Sequence, residues 1–140
     1  MNINSINKDL VEEFYKALNS EHQSDVQLIL NKTVVKDWKS YGSNYEYRQG
    51  GRDIFVDILK NFHKVIPDLK WEIKEILEVG NKYIVRSNAA GTPKDSFLGA
   101  DPSGNSFEIM TIDIHTLENG LITETIHTED WLGAIKQFAK

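Results

Sequence analysis

Residues 52–79 read RDIFVDILKNFHKVIPDLKWEIKEILEV, and the change of period inside them decides the fold. Ile54, Phe55, Ile58, Leu59, Phe62, Val65 and Ile66 recur at helical spacing, which predicts a helix from about Arg52 to Val65 stopped by Pro67. From Asp68 the period is two. Leu69, Trp71, Ile73, Leu77 and Val79 share one strand face with Glu75 as the exception, and Lys70, Glu72, Lys74 and Glu78 take the other.

Upstream of this switch the chain is mainly helical. Ile3, Ile6, Leu10, Phe14, Ala17 and Leu18 mark one face of a helix over about Ser5–Asn19, with Asn4 or Ser5 as its cap. Val26–Leu30 reads as a second helix and Thr33–Trp38, β-branched, as a short strand. Tyr41–Gly51 is an aromatic loop of the kind that rims binding sites or packs down with its hydroxyls in water.

Downstream lie strands. Gly80-Asn81 turns the chain into Tyr83–Ala90, and Gly91–Asn105 is a long connection. Two β-rich runs, Phe107–His115 and Leu121–Asp130, flank Asn119-Gly120, a pair that accepts the positive φ angles of a tight hairpin turn. Trp131–Phe138 is a short terminal helix. Helices first and a strand meander after, with no βαβ alternation, predict one α+β domain over residues 1–140. In it three N-terminal helices pack on a curved antiparallel sheet and leave a pocket on its concave side.

Composition narrows the function. Sixteen Lys and Arg against 21 Asp and Glu give a net charge of −5 with no basic stripe, which argues against nucleic acid. Cysteine is absent, so thiolate chemistry is excluded. No signal peptide and no membrane span are read, and a cytoplasmic protein is expected. A nucleotide loop and a Gly-x-Ser-x-Gly elbow are both missing. His115, His127 and Asp130 could serve as metal ligands, but no helical His-x-x-x-His or Glu-x-x-His spacing exists, and no metal is expected.

Pro67-Asp68-Leu69, Gly91-Thr92 with Phe97-Leu98-Gly99 and Pro102-Ser103-Gly104, Asp113-Ile114-His115 with Asn119-Gly120, and Asp130-Trp131-Leu132-Gly133 with Gln137 occur in the order found in SnoaL-like polyketide cyclases. The chain resembles that family over nearly its whole length. The resemblance implies a cone-shaped barrel of the nuclear-transport-factor-2-like, cystatin-like class. It also implies an intramolecular aldol closure without a cofactor, in which Asp130 is the acid/base and His115 lines the site. The chain departs from the family at three places. Pro93 follows the Gly-Thr pair where a His is common, Trp38-Lys39 stand where another His is common, and Glu124-Thr125-Ile126 replaces Glu-His-Trp.

Two readings of the chemistry stay open. Asp130 beside Trp131 could have its pKa raised by burial and act as a proton shuttle, with His115 or a tyrosine of Tyr41–Tyr47 donating to an enolate oxygen. It could equally cap the terminal helix. His115 shares strand parity with Thr111 and Asp113, so an Ile112/Ile114 face turned to the core would put it outside, whereas the resemblance puts it inside. His127 has the opposite parity from Asp130. Trp38, Tyr41, Tyr45, Trp71, Phe97, Met110 and His127 are the expected ligand contacts, and His22 and His63 are expected at the surface. The function expected is acid/base chemistry on a small apolar carbonyl compound, or ligand binding without turnover on the same fold. Ile84, Ile112 and Ile114 load strand faces that helices would leave bare, which predicts a homodimer.

Overall fold

The computed structural model describes the backbone from Ile3 to Lys140 and side chains from Ile6 onward. The expected caps Asn4 and Ser5 and the apolar Ile3 therefore have side chains outside the described residues. The elements are α1 (Ile3–Lys16), a 3-10 turn (Ser20–Asp25), α2 (Val26–Thr33), β1 (Val34–Tyr41), β2 (Tyr47–Arg48) and α3 (Gly51–Val65). There follow β3 (Lys70–Val79), β4 (Lys82–Gly91), β5 (Phe107–Glu118), β6 (Leu121–Glu129) and α4 (Trp131–Phe138).

All six strands form one sheet in the order β2-β1-β6-β5-β4-β3. Every pair is antiparallel except β1 and β6, which run parallel. Hairpins force antiparallel neighbours. β1 and β6 are separated by most of the chain, so no hairpin fixes their direction. The β5–β6 hairpin turns at Asn119 and Gly120, whose φ angles of 52° and 77° are both left-handed, as the Asn-Gly pair predicts.

The exception at Glu75 has a structural cause. Ile73 pairs with Ser87 and Glu75 with Arg86, so Lys74 is an extra residue in β3 and the face inverts there. Beyond the bulge Ile76 packs on the core, while Leu77 and Val79 are 51% and 63% exposed on the other face rather than sharing the side of Trp71. On β5, Phe107, Ile109, Thr111, Asp113, His115 and Leu117 are buried, and Met110 and Ile112 face out. The polar parity thus turns inward.

The outward face keeps an apolar row. Leu77, Ile84, Ile114, Ile126 and Tyr41 are register partners on consecutive strands β3, β4, β5, β6 and β1. The inner face is covered by α1, α3 and α4, and its core centres on Phe14, Trp38, Leu59, Tyr83, Phe107 and Phe138. Burying each such side chain contributes about 1.5–3 kcal/mol.

The short sequence motifs are joints of this frame. Asp68, after the Pro67 stop, accepts hydrogen bonds from Thr92 N (2.7 Å) and Thr92 Oγ1 (2.9 Å). Gly91 lies so close to Ile66 that a Cβ there would overlap its side chain. Gln137 accepts from Glu108 N (2.8 Å) and donates to Glu108 O (3.1 Å), which pins α4 to the start of β5. His63 departs from expectation. It lies one turn after Leu59 on the packed side of α3, is only 2% exposed, and bonds Ala17 O (2.8 Å) and Ser20 Oγ (3.0 Å). No helix among the described residues is long and apolar enough to cross a membrane.

Candidate active site

Between the helices and the inner face of the sheet lies a cavity of about 720 Å3. Its walls are mostly apolar. Phe14 and Leu18 come from α1, Phe55, Ile58, Leu59 and Phe62 from α3, Trp38 from β1, Trp71 from β3, and Trp131 and Leu132 from α4. Ridge positions on amphipathic helices and alternate strand positions place these side chains there. Polar groups in the lining include Asp113, Thr125, His127, Glu129, Arg48, Glu46 and Asp130.

Asp113 on β5 and His127 on β6 are direct register partners, so both side chains rise from the same inner face. Asp113 is 5% exposed. Its Oδ2 accepts from the Tyr15 hydroxyl at 2.5 Å. Burial pushes the Asp113 carboxyl up from 3.8 to about 7, against the lowering pull of the Tyr15 hydrogen bond. Burial, with Asp113 beside it, raises the Tyr15 hydroxyl well above its ordinary value.

His127 Nδ1 lies 2.8 Å and 3.0 Å from the two Glu129 carboxylate oxygens. Their side chains are 20% and 12% exposed. A carboxylate on Nδ1 fixes the imidazole tautomer and leaves Nε2 as the free nitrogen. Arg48 lies 5.2 Å over the Phe55 ring, and burial lowers its guanidinium from the ordinary value while Glu129 and Glu46 oppose the change.

His115 is inside, as the resemblance implies, but it is fully buried and does not line the cavity. Its Nε2 is 2.7 Å from the Tyr15 hydroxyl and its Nδ1 is 2.8 Å from Thr125 Oγ1. Trp38 Nε1 donates to the same Thr125 oxygen at 3.0 Å. Trp38 and Thr125 therefore touch each other. Burial lowers the His115 pKa from 6.5 to about 3.

Asp130 is at the cavity rim, exposed, and its Oδ1 accepts from Gly133 N at 2.9 Å. It caps α4 and is not buried as expected. Of the expected ligand contacts, Trp38, Trp71 and His127 line the cavity. Met110 is 54% exposed on the outer face, because the polar parity of β5 turned inward. Phe97 is core, in edge contact with Phe62 and Trp131. Tyr41 and Tyr45 line a neighbouring groove of about 480 Å3 on the outer side, which shares Gly42, Ser43 and His127 with the cavity and where Tyr45 is 93% exposed.

Asp113, Thr125 and Glu129 line the cavity and Tyr15 bonds Asp113, and sequence reasoning singled out none of them. The available signal was the alternation Thr111-Ile112-Asp113-Ile114-His115, read with its polar side inward. Among the described residues no three His, Cys, Asp or Glu side chains are grouped to hold a metal ion.

The sequence profile described as SnoaL-like polyketide cyclase matches residues 9–138. No curated protein matches the chain. Among solved structures, TsrD from Streptomyces laurentii superposes with a TM-score of 0.82 at 21% identity, covering 98% of this chain and 96% of that one. A SnoaL-like polyketide cyclase from Agrobacterium tumefaciens gives a TM-score of 0.75 at 20% identity over 91% and 93% of the two chains. An epoxide hydrolase of the LEH-like type from M. tuberculosis gives 0.70 at 15% identity over 94% and 88%. At such identities the superpositions establish a shared fold, and the profile, which spans nearly the whole chain, establishes the family. The chain belongs to the SnoaL-like polyketide cyclases.

Proposed function

We propose that the protein is a cofactor-independent acid/base catalyst acting on a small apolar carbonyl compound, by aldol cyclisation or isomerisation. The observation that carries this is the pairing of Asp113 and His127, adjacent across strands and facing one apolar cavity. Each has its outer side held, Asp113 by Tyr15 and His127 by Glu129. Two titratable groups in contrasting environments can divide acid and base roles.

In an aldol closure His127 Nε2 takes the α-proton while Asp113 in its acid form gives its proton to the adjoining carbonyl oxygen, and Glu129 stabilises the imidazolium. The enol carbon forms the new C–C bond to a second carbonyl, the enol proton returns to Asp113, and His127 gives its proton to the oxygen that becomes the hydroxyl. A positioned acid or base contributes about 100- to 10,000-fold. The cavity volume lies within the roughly 300–1,000 Å3 of ordinary small-molecule sites.

Asp130, at the rim, is the alternative acid/base. Its engagement as a helix cap favours Asp113 for the role. The aromatic walls also suit binding without turnover. Hydrogen–deuterium exchange at the α-carbon of a panel of aryl β-diketones in heavy water, followed by proton NMR, separates these readings. Exchange that drops at least about 100-fold in both Asp113→Asn and His127→Gln supports the proposal. Tight binding with no exchange leaves the binding reading, and loss in Asp130→Asn alone moves the role to the rim.

A further inference from the structure

The buried side chains behind Asp113 form a continuous hydrogen-bonded series: Trp38, Thr125, His115, Tyr15, Asp113. Its direction follows from counting protons. An indole N–H can only donate, so Thr125 Oγ1 accepts from Trp38. The Thr125 hydroxyl has one proton, and His115 Nδ1 is its acceptor. A neutral imidazole with Nδ1 accepting carries its proton on Nε2, which donates to the Tyr15 oxygen. Tyr15 then gives its own proton to Asp113 Oδ2.

The opposite direction is costly. Asp113 would donate to Tyr15, Tyr15 to His115 Nε2, and His115 Nδ1 to Thr125. The Thr125 hydroxyl proton would then have no acceptor among the described residues and would be left to the contents of the cavity that Thr125 lines, at a side chain that is 3% exposed. A buried unmet donor costs about 1–3 kcal/mol. With Asp113 ionised, the reversed chain would also set a tyrosine lone pair against a carboxylate oxygen.

We infer that Trp38, Thr125, His115 and Tyr15 form a one-way relay that reserves Oδ2 of Asp113 as an acceptor and confines the carboxyl's exchangeable proton to Oδ1. Oδ1 takes no protein hydrogen bond among the described residues, and Asp113 lines the cavity. The acidic proton is therefore presented to whatever occupies the cavity. His115 is a positioning residue and not a catalytic one, because it bonds Tyr15 and Thr125, packs edge-on against Phe14, and does not line the cavity. The low proton affinity that burial imposes on His115 agrees with a neutral ring. The titratable groups facing Asp113 are Tyr15 from α1, His115 on its own strand, and His127 and Glu129 from β6. Its β4 partner is the apolar Val85.

This inference deepens the proposed function and rests on Asp113 being an acid there, yet its test needs no turnover. In the 15N-labelled full chain, long-range proton–nitrogen correlations report the His115 tautomer while a carboxyl 13C label follows Asp113. The relay predicts His115 neutral and protonated on Nε2 on both sides of the Asp113 titration. A His115 that moves its proton to Nδ1 when Asp113 protonates, or that becomes an imidazolium above about pH 5, overturns it. Tyr15→Phe removes the donor to Oδ2 together with the acceptor of the His115 Nε2 proton, and the Asp113 midpoint should rise by about one pH unit or more. An unchanged midpoint also overturns the relay. Should the Nε2–H tautomer hold while no carbonyl substrate exchanges, the functional reading fails alone. Should exchange proceed with His115 protonated on Nδ1, the relay fails alone.

Discussion

Asp113→Asn tests the burial argument through stability, independently of any substrate. Asp113 titrates near 7 in the folded chain and near 3.8 when exposed. A raised carboxyl contributes stability that is complete below the unfolded value and is lost as pH climbs through the folded one, here between about pH 4 and about pH 7. The full interval, at about 1.36 kcal/mol per pH unit, amounts to about 4 kcal/mol. Between about pH 5 and about pH 8 the part still to be lost is about 2.5 kcal/mol. His115 acts in the opposite sense. Its lowered pKa contributes stability that is complete above its unfolded value of 6.5 and is lost as pH falls toward about 3, so the wild-type profile mixes the two. Comparing variant with wild type at each pH cancels the His115 contribution and any fixed cost of the buried amide. The Asn variant should gain on the wild type by about 2.5 kcal/mol across that range, a relative shift of about 0.8–2.5 M in urea midpoint at an m-value of about 1–3 kcal/mol/M. A gap that stays constant with pH would refute the reasoning, because it would mean that the carboxyl is hydrated in the folded chain.

Asp130→Ala should cost about 1 kcal/mol through loss of the bond to Gly133 N, while Asp130→Asn, which can still cap, should change stability little in urea melts. Glu129→Gln removes the charge that holds His127 Nδ1 and should lower α-proton exchange by at least about tenfold with the fold intact by circular dichroism. The outer row of Leu77, Ile84, Ile114, Ile126 and Tyr41 is expected to join two copies. Sedimentation at micromolar concentration should give about twice the 16.0 kDa chain mass, and Ile126→Asp should return the monomer.

The architecture was legible because period and punctuation agreed. Pro67 ended a helix, a strand began soon after it at Lys70, and Asn119-Gly120 closed the hairpin as its dihedral angles require. Faces were less legible, since one extra residue reverses every later side chain. The bulge at Lys74 announced itself only through Glu75 and carried Leu77 and Val79 outside. On β5 the isoleucines looked like the core side, yet Asp113 and His115 turned inward and Met110 outward. Tyr15 lies 98 residues before Asp113, and no local pattern links the two. Asp130 was legible in both of its readings, and the bond to Gly133 favours the cap.

The central claim is that Asp113 moves a proton in the cavity. The most direct measurement is the pH dependence of kcat/KM for α-proton exchange, in wild type and Asp113→Asn. The wild type should show a limb with a midpoint near 7, the value that burial gives the Asp113 carboxyl, and the variant should lose both that limb and at least about 100-fold in rate. A limb near 7 that persists in Asp113→Asn at wild-type rates would contradict the account.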